Sequence, residues 1–169
     1  MARSLTVVPA TLRDASFVMG NLNEADEREV SCQVAAGTIR HELAYAMLMS
    51  GDNFAVRDGS QPIAFFGTMA LSCCYLNIWA LGTKEMWRAV PLITDTMLEH
   101  VTQKRAEGYV GMEARSWIGH PTAHKWIEQI GGRQHGEPYE WGRDRELFLT
   151  FRWTEDQFES ITRKRRRAP

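Results

Sequence analysis

Long apolar runs are missing from this sequence. No stretch approaches the roughly eighteen consecutive apolar residues that a helix needs to cross a bilayer, and Met1-Ala2-Arg3-Ser4 leads into a short apolar strand instead of a signal-peptide core. The expectation is a soluble chain made in a cytoplasm, without a membrane span. Cysteine is scarce as well. Cys32, Cys73 and Cys74 make an odd count of three, and the adjacent pair would leave an extended strand on opposite faces, which argues against a disulfide framework. No second Cys or His stands at ligand spacing from that pair, whereas zinc sites draw on two such clusters. No metal is expected, and the thiols read as buried and reduced. Internal repeats and low-complexity linkers are also absent ahead of the basic block near the end.

What is present suffices for one core. With 169 residues and 44% hydrophobic composition, the chain can bury a single proper core but not two independent ones. One domain is expected over 1–153, followed by a C-terminal extension over 154–169. The formal net charge of −1 conceals an asymmetry: Arg163, Lys164, Arg165, Arg166 and Arg167 supply five of the 20 basic residues, leaving 15 basic against 21 acidic groups elsewhere. Such a block repels itself, resists folding and attracts phosphates. It reads either as a disordered, solvated end or as a contact for nucleic acid or another acidic partner.

The pattern along the chain predicts an alternation of strands and helices. A first strand covers 5–8, ended by Pro9; Thr11 caps a helix from Leu12, with Asp14 in its first turn and an apolar face of Ala15, Val18, Met19 and Leu22. After the charged stretch 24–29, a second helix is predicted over 38–49. Phe54 and Val56 alternate with polar or small neighbours, Asp58-Gly59 is a hairpin turn signal, and 62–71 is the return strand. A further strand follows over 75–81. Val90, Ile93, Met97, Leu98 and Val101 then carry helical periodicity, with Pro91 in the first turn, and Gly108 ends the helix. A strand through Val110, Met112 and Ala114 leads to a helix from Pro121 to the Gly131-Gly132 pair. Two last strands are predicted around 133–139 and 146–153, the second with Leu147, Leu149, Phe151 and Trp153 on one face.

This order resembles the GNAT N-acetyltransferase fold, an α+β domain in which a mixed, splayed sheet binds acetyl-CoA between its central strands. On that resemblance the expectation is a single domain with a sheet of about seven strands flanked by about four helices. The segment from His120 through Ala123, Trp126 and Ile127 to Gly131-Gly132 is similar to the family's late helix. A narrower resemblance is to the internal virion protein A family of short-tailed phages, itself GNAT-like. It is carried by Ala10-Thr11-Leu12-Arg13-Asp14, Glu24-Ala25-Asp26-Glu27-Arg28-Glu29, Trp79-Ala80-Leu81-Gly82-Thr83, Ala89-Val90-Pro91, Glu113-Ala114-Arg115-Ser116, Ala123-His124-Lys125-Trp126 and Gly142-Arg143.

The GNAT resemblance implies a test of the chemistry. In that family an Arg/Gln-x-x-Gly-x-Gly/Ala loop holds the pyrophosphate of acetyl-CoA on backbone N–H groups at a helix N-terminus. Here the corresponding residues are Arg88-Ala89-Val90-Pro91-Leu92-Ile93. Proline offers no N–H, and a β-branched isoleucine crowds the space a glycine leaves open. Arg88 and Lys84 are the candidate cofactor contacts if CoA is bound at all. The family's proton-donating Tyr on the late helix corresponds to Ile127, which carries no proton to give. Glu113, His120 and His124 are the titratable candidates left nearby. Glu113 is expected to pair with Arg115, and the two histidines, though spaced as metal ligands can be, lack a third.

Trp79, Trp126 and Trp153 read as core residues. Trp87, Trp117 and Trp141 read as loop aromatics, candidates with the basic block for a partner surface. The phage resemblance implies an accessory or internal virion protein that supports assembly or genome ejection without turnover and without a cofactor. Its partners would be other virion proteins, its location the virion and the infected host's cytoplasm. Two alternatives stay open: an acetyl-CoA-dependent N-acyltransferase with an atypical cofactor loop, and a nucleic-acid-binding accessory protein working through residues 163–167.

Overall fold

Four strands in succession build the first half of the sheet. In the computed structural model, which describes residues 4–154, 156 and 157, β1 (Leu5–Pro9), β2 (Gly51–Asp58), β3 (Gln61–Ala70) and β4 (Tyr75–Gly82) pair antiparallel in that order. β5 (Gly111–Trp117) joins β4 in parallel, and β8 (Leu147–Trp153) lies antiparallel beside β5. Two short strands, β6 (Arg133–Gln134) and β7 (Tyr139–Glu140), pair with the other edge of β8. Among the described residues the sheet therefore has eight strands, consistent with the about seven expected. The extra one arises because the strand expected over 133–139 is broken: Gly136 turns with φ +78° and Pro138 has no N–H to give a ladder.

Helices cover both faces. α1 (Leu12–Met19), α2 (Glu24–Gln33) and α3 (Arg40–Met49) enclose one core with Phe65, Trp79 and Leu81 of the sheet. α4 (Val90–Ala106) and α5 (Pro121–Gln129) enclose the other with Phe66, Leu76, Ile78 and Phe151. Adjacent Phe65 and Phe66 thus leave β3 on opposite faces, each fully buried, as a central strand covered on both sides requires. Burial on both sides extends to β8: Leu149, Phe151 and Trp153 share a face as expected, with Phe148 and Thr150 buried on the opposite one, while Leu147 is exposed.

Among the described residues there are five α-helices, against about four expected. The additional one, α2, has a polar sequence with little apolar periodicity, so its start signals decide it. Asn23 Oδ1 accepts the N–H groups of Ala25 and Asp26, and Glu24, Asp26 and Glu27 place negative charge in the first turn. The start of α1 is the one anticipated: Thr11 and Asp14 form a reciprocal capping box. Pro91 sits in the first turn of α4, and Gly59 turns the β2–β3 hairpin with φ +63°. α3 begins at Arg40, two residues later than expected, because Thr38 Oγ1 donates to the Ala35 carbonyl in a turn of its own.

Of the three cysteines, all free, only Cys32 is buried; Cys73 is exposed and Cys74 half-buried at the β3–β4 turn. Among the described residues no helix is long and apolar enough to cross a membrane. The extension's basic block, 163–167, lies outside the described residues.

Candidate functional site

β4 and β5 are the parallel pair of the sheet, and they stay together briefly. Tyr75, Leu76 and Asn77 pair with Gly111, Met112 and Glu113, after which the ladder between them stops. At the base, the Tyr75 ring packs on Gly111 so closely that a Cβ there would lie 2.6 Å from it. Beyond Asn77 each strand keeps its outer neighbour only, so two inner edges face each other across a fork.

α2 spans the open end of that fork. The Gly82 N–H donates to Asp26 Oδ2 (2.7 Å), and the Asn23 N–H donates to the Gly82 carbonyl (2.9 Å). On the other arm, Glu29 Oε2 accepts from the Trp117 N–H (3.1 Å) and the Ser116 hydroxyl (2.9 Å). Between the arms lies a cavity of about 370 Å³, lined by residues of β4 and β5 together with α2, α3, α4 and α5. Its walls are mostly apolar, with Ile78, Trp79, Met97 and Trp126 among them.

Among the polar residues on its wall, three stand together. His120, at the N-cap of α5, donates from Nδ1 to Glu29 Oε2 (3.0 Å), and its Nε2 lies 3.8 Å from Asp26 Oδ1. Burial pushes the Asp26 carboxyl up to about 6, against the opposing pull of the Gly82 N–H, the His120 charge and Asn23. For His120, burial works against the cation, but the bond to Glu29 and the charges of Glu29 and Asp26 outweigh it, and its pKa is raised. Two titratable groups, both with raised pKa values, therefore sit side by side on the wall of a mostly apolar cavity.

The other titratable candidates are placed differently. Glu113 is buried outside the cavity wall and is held by Arg115 (2.5 Å) and Arg152 (3.3 Å), the expected ion pair with a second guanidinium added. His124 donates from Nε2 to the Trp117 carbonyl (3.0 Å) and packs its ring near Phe151. Burial lowers its pKa. Among the described residues no group of three or more His, Cys, Asp and Glu is arranged to hold a metal ion. Ile127 is buried in the cavity wall.

The loop before α4 is closed on itself. Glu85, Met86, Arg88 and Ala89 donate their N–H groups to Thr83 Oγ1, Thr83 O, Glu85 O and Met86 O at 2.8–3.2 Å. The Ile93 N–H continues the helix to Ala89 O, and Pro91 has none. The Met86 side chain packs against Gly82 so closely that a Cβ there would not fit. Arg88 Nη1 is paired with Asp58 Oδ2 at 2.6 Å and with Glu85 at 3.7 Å, while Lys84 is exposed.

Solved structures share this topology. An acetyltransferase of the GNAT family from Bacillus anthracis superposes with a TM-score of 0.67 at 11% identity, covering 92% of this chain and 98% of that one. Mutant forms of the spermidine/spermine N-acetyltransferase from Vibrio cholerae give 0.66 at 12%, covering 94% and 98%. The ribosomal-protein-S18-alanine N-acetyltransferase from Escherichia coli gives 0.64 at 13%, covering 89% and 94%. This chain has the GNAT fold. No family model and no curated protein matches its sequence, so the likeness to the phage virion family rests on the quoted segments alone. Against the GNAT fold, the residues present fit the diphosphate of a CoA poorly: the N–H groups of Glu85, Met86, Arg88, Ala89 and Ile93 are engaged within the chain, Pro91 has none, and Arg88 is paired with carboxylates.

The aromatic candidates divide. Trp87 is 72% exposed beside the closed loop. Trp117 ends β5 instead of lying in a loop, and is half-buried with Arg28 over its ring. Trp141 is partly exposed at the cavity, with the Arg115 guanidinium 4.6 Å from its ring centre. Asp26 and Glu29, which the sequence presents only as part of a charged stretch, are the candidate site residues it hid. Their signal is the spacing of three that puts both on one side of a helix whose cap is Asn23.

Proposed function

We propose that this chain is an acyltransferase of the GNAT kind, passing an acyl group from a thioester to an amine in the fork between β4 and β5. The observation that carries the reading is the cavity of about 370 Å³ in that fork, with buried Asp26 and half-buried His120 and Glu29 together on its wall. In the transfer the amine nitrogen bonds to the acyl carbon as the carbon–sulfur bond breaks, and the leaving sulfur departs as a thiol. The proton lost by nitrogen is the one sulfur gains. Glu29 holds Nδ1 of His120 and so leaves Nε2 for that exchange, with Asp26 the second proton-holding group beside it. The apolar walls keep water from the thioester. The test is release of free thiol, with mass-detected acylation of an amine panel, by the full chain supplied with acetyl thioesters. No transfer from any thioester by folded protein would sink the reading.

A second reading has the same fold serving without turnover, as an accessory or internal virion protein of a short-tailed phage. The closed loop over 83–93 and the apolar Ile127 favour it, and the quoted segments support the phage context. It predicts no thiol release, and the presence of the chain, with other virion proteins, in purified particles. Nucleic-acid contact through 163–167 is separable from both: it requires binding that disappears at moderate salt and on deletion of those five residues.

A further inference from the structure

We propose that the arginine row across β5, β8 and β6, with Trp141 at its side, is a binding track for single-stranded nucleic acid that the basic block at 163–167 extends. The inference is independent of acyl transfer in the fork, because it concerns the far half of the sheet and is tested as binding.

Strand register sets out the track. Glu113, Arg152 and Arg133 stand in one row across the three strands, and Arg115 lies two residues on from Glu113, on the same face. The Glu113 side chain is only 6% exposed, and its two oxygens hold the guanidiniums of Arg115 (2.5 Å) and Arg152 (3.3 Å). Arg152 also donates to His135 Nε2 at 2.8 Å. The carboxylate thus faces inward and fixes two guanidiniums that keep 29% and 42% of their side-chain surface in solvent, with N–H groups left over for an anion. Arg133 is exposed and, among the described residues, has no ion-pair partner. It directly opposes Arg152, and like charges so placed destabilise a sheet unless an anion joins them.

Acidic groups of the neighbouring loop are engaged locally. Glu140 pairs with Arg145, Asp144 with Arg143 and Glu146 with Arg28, which leaves exposed Glu137 as the opposing charge of the β6–β7 turn.

The aromatic residues decide the class of polyanion. An acidic polypeptide needs charge alone, whereas Trp141, 47% exposed, holds the Arg115 guanidinium 4.6 Å from its ring centre and meets Tyr139 edge-on at 6.0 Å. A ring beside guanidiniums lets a base stack while its phosphate pairs, which is how single strands are bound with little regard to sequence. The chain leaves β8 at Trp153, next to Arg152, and residues 154–162 span at most about 30 Å before Arg163. The block at 163–167 is therefore within reach of the same run of phosphates.

Fluorescence anisotropy of the full chain with a labelled oligothymidylate of about twenty nucleotides tests the proposal. Binding is expected at about 50 mM salt, with log affinity falling against log salt at a slope of about −5 to −6 if three track arginines and five block residues each neutralise a phosphate. Removing residues 163–169 should weaken binding at least 10-fold and flatten the slope to about −2. In that shortened protein Arg133→Glu should cost a further 5-fold or more. Trp141→Ala should cost as much with the slope unchanged, since a ring meets bases and not phosphates. Thermal melts should show both variants folded. The proposal is overturned by no binding of the full chain at about 50 mM salt, or by complete loss of binding with the block, which would leave the tail as the whole contact. A shortened protein that binds but ignores both substitutions also overturns it. So does displacement of the probe by polyglutamate as readily as by unlabelled oligothymidylate, which would make the row a site for an acidic polypeptide.

Discussion

Arg88 Nη1 lies 2.6 Å from Asp58 Oδ2, joining the turn before α4 to the end of β2 across the sheet. The carboxylate, only 14% exposed in its side chain, raises the arginine's pKa and keeps its fork turned inward. A residue placed by sequence where a phosphate contact belongs is thus engaged in structure. Arg88→Ala is expected to lower the melting temperature while leaving the affinity for CoA within about 5-fold, the size of a lost surface contact. Paired thermal melts and titrations check it, and a large loss of CoA affinity would contradict it.

Asp26 makes the fork pH-sensitive. Its folded pKa, about 6, lies above the ordinary 3.8 because burial penalises the anion. The folded state therefore holds this proton more tightly than the unfolded one, so the stability contributed by the neutral acid is present below about pH 4. It is lost as pH rises through 6, by on the order of 3 kcal/mol at most. Asp26→Asn keeps an acceptor for the Gly82 N–H and removes the charge. Urea denaturation should find the variant gaining on the parent between pH 4 and 6, and a gap that stays constant over that window would refute the assignment.

His120 carries the proton in the proposed transfer. Replacing it with Gln is expected to lower kcat by at least about 100-fold, the ordinary worth of a positioned acid or base, while KM changes little. The limb of the pH–rate profile set by the His120–Asp26 pair should vanish with it. A variant with parental kcat and an unaltered profile would make His120 a packing residue.

Asn23 holds α2 over the fork. Its side chain accepts two backbone N–H groups of the helix and donates to both Asp26 Oδ2 (2.7 Å) and the Gly82 carbonyl (2.9 Å). Asn23→Ala should cost about 1–2 kcal/mol in chemical denaturation, the upper range for a lost cap because a buried carbonyl loses a donor too. Activity should fall along with stability, since Asp26 and Glu29 both ride on this helix. Full stability in the variant would mean that α2 is held from elsewhere.

Much of the frame was legible because its signals are local. The Thr11–Asp14 cap, Pro91 in the first turn of α4 and the turn at Gly59 each need only the few residues around them. So did the loss of a backbone donor at Pro91. The helix α2 was hidden because an amphipathic stripe is the stronger signal, and its sequence Glu24–Gln33 lacks one. Its carboxylates acquire meaning only from partners far along the chain: Glu29 meets Ser116, Trp117 and His120, and Asp26 meets Gly82.

The sequence by itself determined most of the order of elements and the impaired helix start at 90–93, because apolar spacing and proline chemistry are properties of neighbouring residues. Only the tertiary structure decided that Arg88 answers to Asp58, that Met86 packs on Gly82 and that two carboxylates from α2 flank His120 inside the β4–β5 fork. These depend on which strands diverge and which helix lies across the gap. Such distances are set by packing the whole sheet, and no short stretch of chain contains them.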